Sequence, residues 1–413
     1  MLEIKKINSK LDYDVVITGA GPAGSTTAYL LAKNGIKTLI IDKENFPRSK
    51  LCGGLLSGKT INIIKRIYDK TDGTLLKKEL FSYSSNNYKI FFKTKLIVDE
   101  DMKKGSLFFV DRKNFDYFLL NEAREIGAEV LMEEEVNEVD FANNLIITSK
   151  GNAIHGKFII GADGVYSLIR KKVFMFQAED NKSWTKNLAI ALQLEVPCSE
   201  LKKGSIIHSI CNSTSLFFDF IKYGYSWVFP NKDFIKIGLG GLQNKNKLDI
   251  FTLLSRFMSF LGVEPALIKS VKGYSVPLGN YLSEPIKKGF ILIGDAAGFV
   301  DPLTGEGIYY ALKSAELASN CILEIMKNGS ERTLEDLYLT SLRKEIFPEF
   351  ESALELRNIV FEKLKYIPVN LSTSILKQHN HVLLELVSGE RSYGDFLKTL
   401  KNKTLLWKII QKK

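Results

Sequence analysis

Histidine, cysteine and proline are all scarce in this chain of 413 residues, and each scarcity removes a class of function. The four histidines, His155, His208, His379 and His381, form no spaced cluster, so nothing suggests a metal centre or a histidine-based triad. The four cysteines, Cys52, Cys198, Cys211 and Cys321, lie far apart with no CxxC pair, which argues against structural zinc and against a disulfide framework. Proline and glycine are nowhere dense enough for a linker or disordered tract, and 45% hydrophobic with 25% charged residues is an ordinary globular balance. The opening MLEIKKINSKLDYDVV lacks a signal-peptide core, and no apolar run approaches the roughly 20 residues of a membrane span. A cytoplasmic protein is expected.

Positive charge is in excess, at a net +10, and much of it lies at the end. Seven basic residues, Arg391, Lys398, Lys401, Lys403, Lys408, Lys412 and Lys413, stand there against Asp395. Interleaved are Leu397, Leu400, Leu405, Leu406, Trp407, Ile409 and Ile410, the pattern of a basic amphipathic helix. Such a helix either lies on an anionic membrane, which would place the protein peripherally at the inner face of the cell membrane, or docks on its own protein with lysines in water. No basic stretch carries a nucleic-acid-binding motif, so nucleic acid is not an expected partner.

The segment KYGYSWVFPNKDFIKIGLG, Lys222 to Gly240, sets Tyr223, Tyr225, Trp227 and Phe229 at every second position before Pro230. In a strand these four rings share one face and form a wall roughly 20 Å long, suited either to an ordinary core or to a long, thin apolar ligand. Near the N-terminus a strand from Tyr13 to Thr18 runs into Gly19-Ala-Gly21-Pro22-Ala23-Gly24, then a helical pattern, then a strand from Lys37 to Ile41 ending at Asp42 and Lys43. Gly19 allows a tight turn, Gly21 lets backbone approach a pyrophosphate, Gly24 lets helix meet strand, and Asp42 stands where a ribose hydroxyl is bonded. With correct flanking elements this is a strong dinucleotide fingerprint.

Three later segments narrow the dinucleotide: Val110-Asp-Arg112; Phe158 to Asp163-Gly164; and Phe290 through Gly294-Asp295 and Pro302-Leu-Thr-Gly305-Glu-Gly307-Ile308. Together with the fingerprint they resemble the FAD-binding signatures of the para-hydroxybenzoate hydroxylase-like flavoproteins. That resemblance implies Asp295 near the ribityl or pyrophosphate region of FAD, Arg112 reaching the adenosine half, Val136 contacting adenine, and a helix from Gly307 aimed at the flavin. The expected fold is mixed α/β: a Rossmann-like FAD-binding domain from 1–50, 105–175 and 270–330, an inserted antiparallel-sheet substrate domain from 51–104 and 176–269, and a helical region over 331–413.

Cys52-Gly53-Gly54 follows the ribose strand, and Tyr225, Trp227, Phe229 and Pro230 precede Gly238 and Gly240 by a fixed spacing. On these paired motifs the chain resembles the geranylgeranyl reductase family over roughly residues 13 to 320. The resemblance implies reduction of isolated carbon–carbon double bonds in a prenyl lipid or quinone, by hydride from reduced FAD plus protonation. Cys52 is the expected proton donor or positioning group, and Gly53 and Gly54 crowd the ring. Gly238 and Gly240 are expected to open room for the substrate tail. One complete dinucleotide fingerprint leaves NAD(P)H or ferredoxin open as electron donor. Two other readings stay open: a flavin monooxygenase or halogenase, since Tyr225-Ser-Trp227 is similar to the halogenase Trp-x-Trp-x-Ile-Pro motif, and a prenyl-binding carrier like the GDP-dissociation inhibitors.

Overall fold

The computed structural model describes residues 9–71, 80–92, 94–101, 107–175, 178–264, 267, 270–329, 331–363, 385 and 391–403. Its first layer grows from the apolar β1 (Ser9–Thr18), in which Val15, Val16 and Ile17 are fully buried. Pairing in parallel on either side of β1 are β2 (Thr38–Ile41) and β11 (Asn152–Gly161); beyond them come β8 (Glu129–Leu131) and β18 (Phe290–Leu292), also parallel. The antiparallel strands β17 (Ile286–Lys287), β9 (Val136–Asp140) and β10 (Leu145–Thr148) complete an eight-stranded sheet. Parallel strands need helical crossovers, and α1 (Pro22–Lys33) supplies the one between β1 and β2.

The second layer is a seven-stranded sheet of β5 (Asn87–Phe92), β6 (Lys95–Asp101), β12 (Ala189–Pro197), β13 (Thr214–Phe218), β14 (Gly224–Pro230), β15 (Phe234–Leu242) and β16 (Lys272–Val276), in the order β16-β12-β15-β14-β13-β5-β6. It is antiparallel apart from the parallel pair β13 and β5, where the two inserted segments meet. Strand β16 belongs to this sheet although it falls within 270–330. A small sheet of β3 (Leu55–Leu56), β4 (Tyr83–Ser85) and β7 (Leu107–Phe109) lies against the aromatic residues of the second.

Around these pack α2 (Gly58–Tyr68), α3 (Arg112–Glu125), α4 (Ala178–Lys186), α5 (Ile206–Ile210), α6 (Ile250–Leu261) and α7 (Ile308–Asn328), then α8 (Leu334–Glu345), α9 (Phe347–Asn358) and α10 (Tyr393–Lys403). One face of the second sheet buries Leu192, Leu194, Phe217 and Ile237 with Phe257 and Met258 of α6. Alternation therefore sends its other face toward the first layer.

Two expectations are corrected here. The basic C-terminal segment docks on its own protein: Tyr393, Leu397 and Leu400 of α10 are buried on Ala353, Leu356 and Ile359. Its apolar face is thus covered over residues 393–403, and among the described residues no helix is long and apolar enough to cross a membrane, so the expected peripheral placement at the cell membrane is withdrawn. Residues 404–413, with Trp407 and the last isoleucines, lie outside the described residues. Second, Tyr223 is not part of the aromatic strand. It precedes β14 with φ of 50° and packs instead against Phe361, Leu242 and Leu278.

Candidate active site

The glycine turn after β1 is held by contacts that only glycines permit. A Cβ on Gly24 would lie 1.9 Å from the Gly19 carbonyl oxygen, so α1 starts closer to the turn than any side chain allows. Gly19, at φ of 101°, rests against Ala162, immediately before Asp163 and Gly164. Asp42 braces the same turn: Oδ2 accepts from the Ala20 N–H at 2.6 Å and Oδ1 from the Glu44 N–H at 2.9 Å. Pro22 and Ala23 open α1, Ala23 lies beside Gly294, and Val136 opens β9 against the main core. Lys43 is exposed and paired with Glu135.

Three observations fit an FAD molecule here. First, α1 and α7 begin at Gly21 and Gly307 with no side-chain cap, whereas Ser57, Asp111, Asp249 and Thr333 cap α2, α3, α6 and α8. Free N–H groups at these two ends suit an anion. Second, the space a Cβ would fill on Gly21 meets only the Arg48 guanidinium, at 3.8 Å. Third, Asp163 accepts from the Leu168 N–H through Oδ2 at 2.7 Å while its Oδ1 is shielded from water without a partner. Burial pushes its carboxyl above the usual range.

The second flavin segment is equally constrained. Gly294 donates its N–H to Ser314 Oγ, and Asp295 lies between Lys50, whose Nζ is 3.5 Å from Oδ2, and the start of α7 at Gly307. Lys50 also sits over the Tyr274 ring. The loop from Pro302 to Ile308 is shaped by fully buried Asp301, whose Oδ1 accepts from the Leu303 and Thr304 N–H groups, both at 2.9 Å. Gly305, at φ of 74°, closes it by donating to the Asp301 carbonyl, and Arg357 donates to the Pro302 carbonyl. Glu306 accepts from Ser57 and Thr60 and pairs with Lys59. Burial would lower the Lys59 pKa, but Glu306 and Asp301 outweigh it and raise it.

The cysteine segment and the aromatic strand meet. Gly54, at φ of 82°, turns its N–H back to Cys52 Sγ at 3.3 Å, and its carbonyl accepts from the Val110 N–H. A Cβ on Gly53 would come 2.8 Å from the Phe229 ring. Tyr225, Trp227 and Phe229 share one face of β14 with centroid steps of 5.9 and 6.1 Å, and Pro230 ends the strand. The Tyr225 hydroxyl donates to the Thr304 carbonyl in the flavin loop. One strand therefore touches the cysteine segment at one end and the flavin loop at the other.

The β15 glycines change role on this geometry, and Arg112 gains protein partners. Gly238 and Gly240 stand opposite Trp227 and Tyr225 on β15. A Cβ on Gly238 would lie 2.4 Å from the indole, so this glycine makes room for the ring rather than for a substrate tail; Gly240 lies against Ala191 and Ile190 in the same crowded face. Arg112, expected at the adenosine half, is buried in a bidentate pair with Asp116, both bonds 2.7 Å, and adjoins Cys52. Burial would lower its pKa, but Asp116 and the Cys52 thiol raise it. Arg48 joins it on Asp116 at 3.1 Å.

Sequence reasoning missed Gln193 and Lys236. Gln193 takes the Trp227 indole N–H at 3.3 Å and donates to the Cys52 carbonyl at 3.4 Å; Lys236 reaches the Cys52 and Gly53 carbonyls at 3.5 Å. The available signal was a lone lysine inside the apolar run Phe-Ile-Lys-Ile-Gly, on the same strand parity as Gly238 and Gly240.

A protein-family model for an FAD binding domain matches residues 12–344. An uncharacterized protein of Methanosarcina barkeri is 32% identical over 332 residues, 80% of this chain and 78% of that one. A geranylgeranyl diphosphate reductase of Rhodobacter capsulatus is 28% identical over 343 residues, 78% of each chain. Among solved structures, a geranylgeranyl bacteriochlorophyll reductase-like protein from Thermoplasma acidophilum shares the fold, with a TM-score of 0.73, 23% identity and coverage of 98% of this chain and 100% of that one.

Proposed function

The chain belongs to the FAD binding domain family and is at that level an FAD-dependent oxidoreductase, and from this premise we propose that it saturates isolated double bonds in the prenyl chain of a lipid or quinone. One observation carries the reading: β14 presents three aromatic rings between the Cys52-Gly53-Gly54 segment, touched by Phe229, and the flavin loop, bonded by Tyr225. An alkene chain offers no polar handle, so only apolar and aromatic surface can hold it in register. The named reductases among the relatives support the reading.

Gly19, Gly21, Gly24 and Arg48 would hold the pyrophosphate, Asp42 and Val136 the adenosine half, and Asp163, Asp295 and the α7 N-terminus the remainder. When bound and reduced, FAD supplies the hydride equivalent. Cys52 gives a proton to the other alkene carbon, leaving a thiolate that solvent reprotonates, and the faces of Tyr225, Trp227 and Phe229 stabilise positive charge developing between the two transfers. The product gains two hydrogens per bond, and no oxygen is inserted.

Expression in a host with unsaturated prenyl lipids and quinones, followed by mass spectrometry, tests this. Two-hydrogen gains in prenyl species are expected. Oxygenated or halogenated products that depend on oxygen would replace the reading with a monooxygenase or halogenase, and a protein that takes up no FAD would replace it with a carrier.

A further inference from the structure

Cys52 packs against the core of the Rossmann-like layer, yet its peptide is held from the other layer. Lys236 is 94% buried by exposure, at 6%. Among the described residues no carboxylate lies within ion-pair distance of its ammonium; it faces the Cys52 and Gly53 carbonyls at 3.5 Å instead. Burying an ammonium on neutral partners is expensive, since carbonyl dipoles replace only part of its hydration. Gln193, 3% exposed, spends its amide on the same Cys52 carbonyl and its oxygen on the Trp227 indole.

We propose that Gln193 and Lys236 are positioning residues that clamp the Cys52 and Gly53 carbonyls, so that the Trp227 ring and the Cys52 thiol move as one hydrogen-bonded unit. The register makes this possible: Trp227, Gly238 and Gln193 are in line across β14, β15 and β12, and Phe229, Lys236 and Glu195 form the next row. The far side of the loop is tied by Val110 to the Gly54 carbonyl, and the Gly54 N–H returns to Cys52 Sγ. With both flanks fixed, the thiol has a defined place over whatever lies against the rings. Trp227 then has two functions, a face for the substrate and an N–H that orients Gln193.

This inference rests on the reductase reading for its kinetic consequence but not for its structural one, and the test separates them. Lys236→Met, Lys236→Arg, Gln193→Leu and Trp227→Phe are compared with wild type as FAD-loaded full chains. Hydrogen exchange of the Cys52–Gly54 amides is expected to rise about tenfold in Lys236→Met, Gln193→Leu and Trp227→Phe, with flavin content and exchange in β1 unchanged. With geranylgeranyl diphosphate and dithionite, kcat is expected to fall by about tenfold to a hundredfold at little-changed KM, with Lys236→Arg restoring most of it. Should Lys236→Met not fold, Gln193→Leu and Trp227→Phe decide alone. Unchanged exchange in both would overturn the clamp even if the protein reduces alkenes; raised exchange without any alkene reduction would keep the clamp and sink the reductase reading. A loss of kcat that Arg does not restore, with exchange raised throughout the protein, would make Lys236 merely structural.

Discussion

Glycine is used for opposite purposes in the two layers. At Gly19 and Gly24 missing side chains bring backbone onto backbone, with 1.9 Å from the would-be Gly24 Cβ to the Gly19 oxygen, and leave N–H groups free at the mouth of α1. On β15, Gly238 leaves space that the indole of Trp227 fills, at 2.4 Å from the would-be Cβ. In the first arrangement the tightest contact is backbone alone; in the second it is shared between a ring, which can tilt, and the Leu192 carbonyl oxygen at 2.6 Å, which cannot. The glycine turn is therefore expected to be the more brittle of the two.

Gly24→Ala should have the largest effect: overpacking against backbone is worth at least ~3 kcal/mol, enough to yield little flavin-bound protein. Flavin absorbance and Tm of the purified variant check it, and a yellow, stable variant would break the contrast. Cys52→Ala should retain flavin and fold but lower turnover by ~10²-fold or more, the usual contribution of a positioned acid. Gly238→Ala should cost ~1–3 kcal/mol in stability and part of turnover while keeping flavin, because its new Cβ meets the Trp227 ring and the Leu192 carbonyl oxygen, at 2.6 Å, and no residue of the glycine turn. Loss of flavin from this variant would show that the layers are not separable. Tyr225→Phe removes a single bond to the flavin loop and should lose ~1 kcal/mol, measured as Tm with bound flavin.

The smallest effect lies outside both glycine regions. Glu316 on α7 faces Arg66 of α2 and Lys313; burial would raise its pKa, but the Arg66 bond and the Lys313 charge bring it below the usual value of 4.5. A carboxyl depressed in the fold stabilises above its unfolded pKa, and that stability is lost as pH falls through the folded value. With Arg66 largely exposed, ~1 kcal/mol is the expected scale. Glu316→Gln should thus lower Tm at pH 7 and converge with wild type as the medium becomes acidic, with flavin and turnover unaffected.

The order of elements in the Rossmann-like layer, the inserted sheet and the helical C-terminal region are readable because their signals are local: apolar runs, glycine turns, and the Asp at the end of β2. The roles that changed depend on neighbours far away in sequence. Gly238 takes its purpose from Trp227 across the ladder, and Tyr223 its place from its positive φ and Phe361. The partners of Lys236 and Gln193 were invisible for the same reason, since nothing in either strand announces a carbonyl contributed by residue 52 or 53. Alternation names the face a residue occupies, but only register names what it meets.

On the proposed function, the aromatic strand and Cys52 form one alkene-reducing site beside the flavin. The most direct test is anaerobic incubation of FAD-loaded protein with dithionite and geranylgeranyl diphosphate, followed by mass spectrometry, with Cys52→Ala run in parallel. Products heavier by two hydrogens per reduced bond are expected in the wild type, with nearly all of them lost in Cys52→Ala at equal flavin content. Equal product from both proteins would contradict the role of Cys52, and no hydrogen gain from the flavin-loaded wild type would contradict the reductase itself.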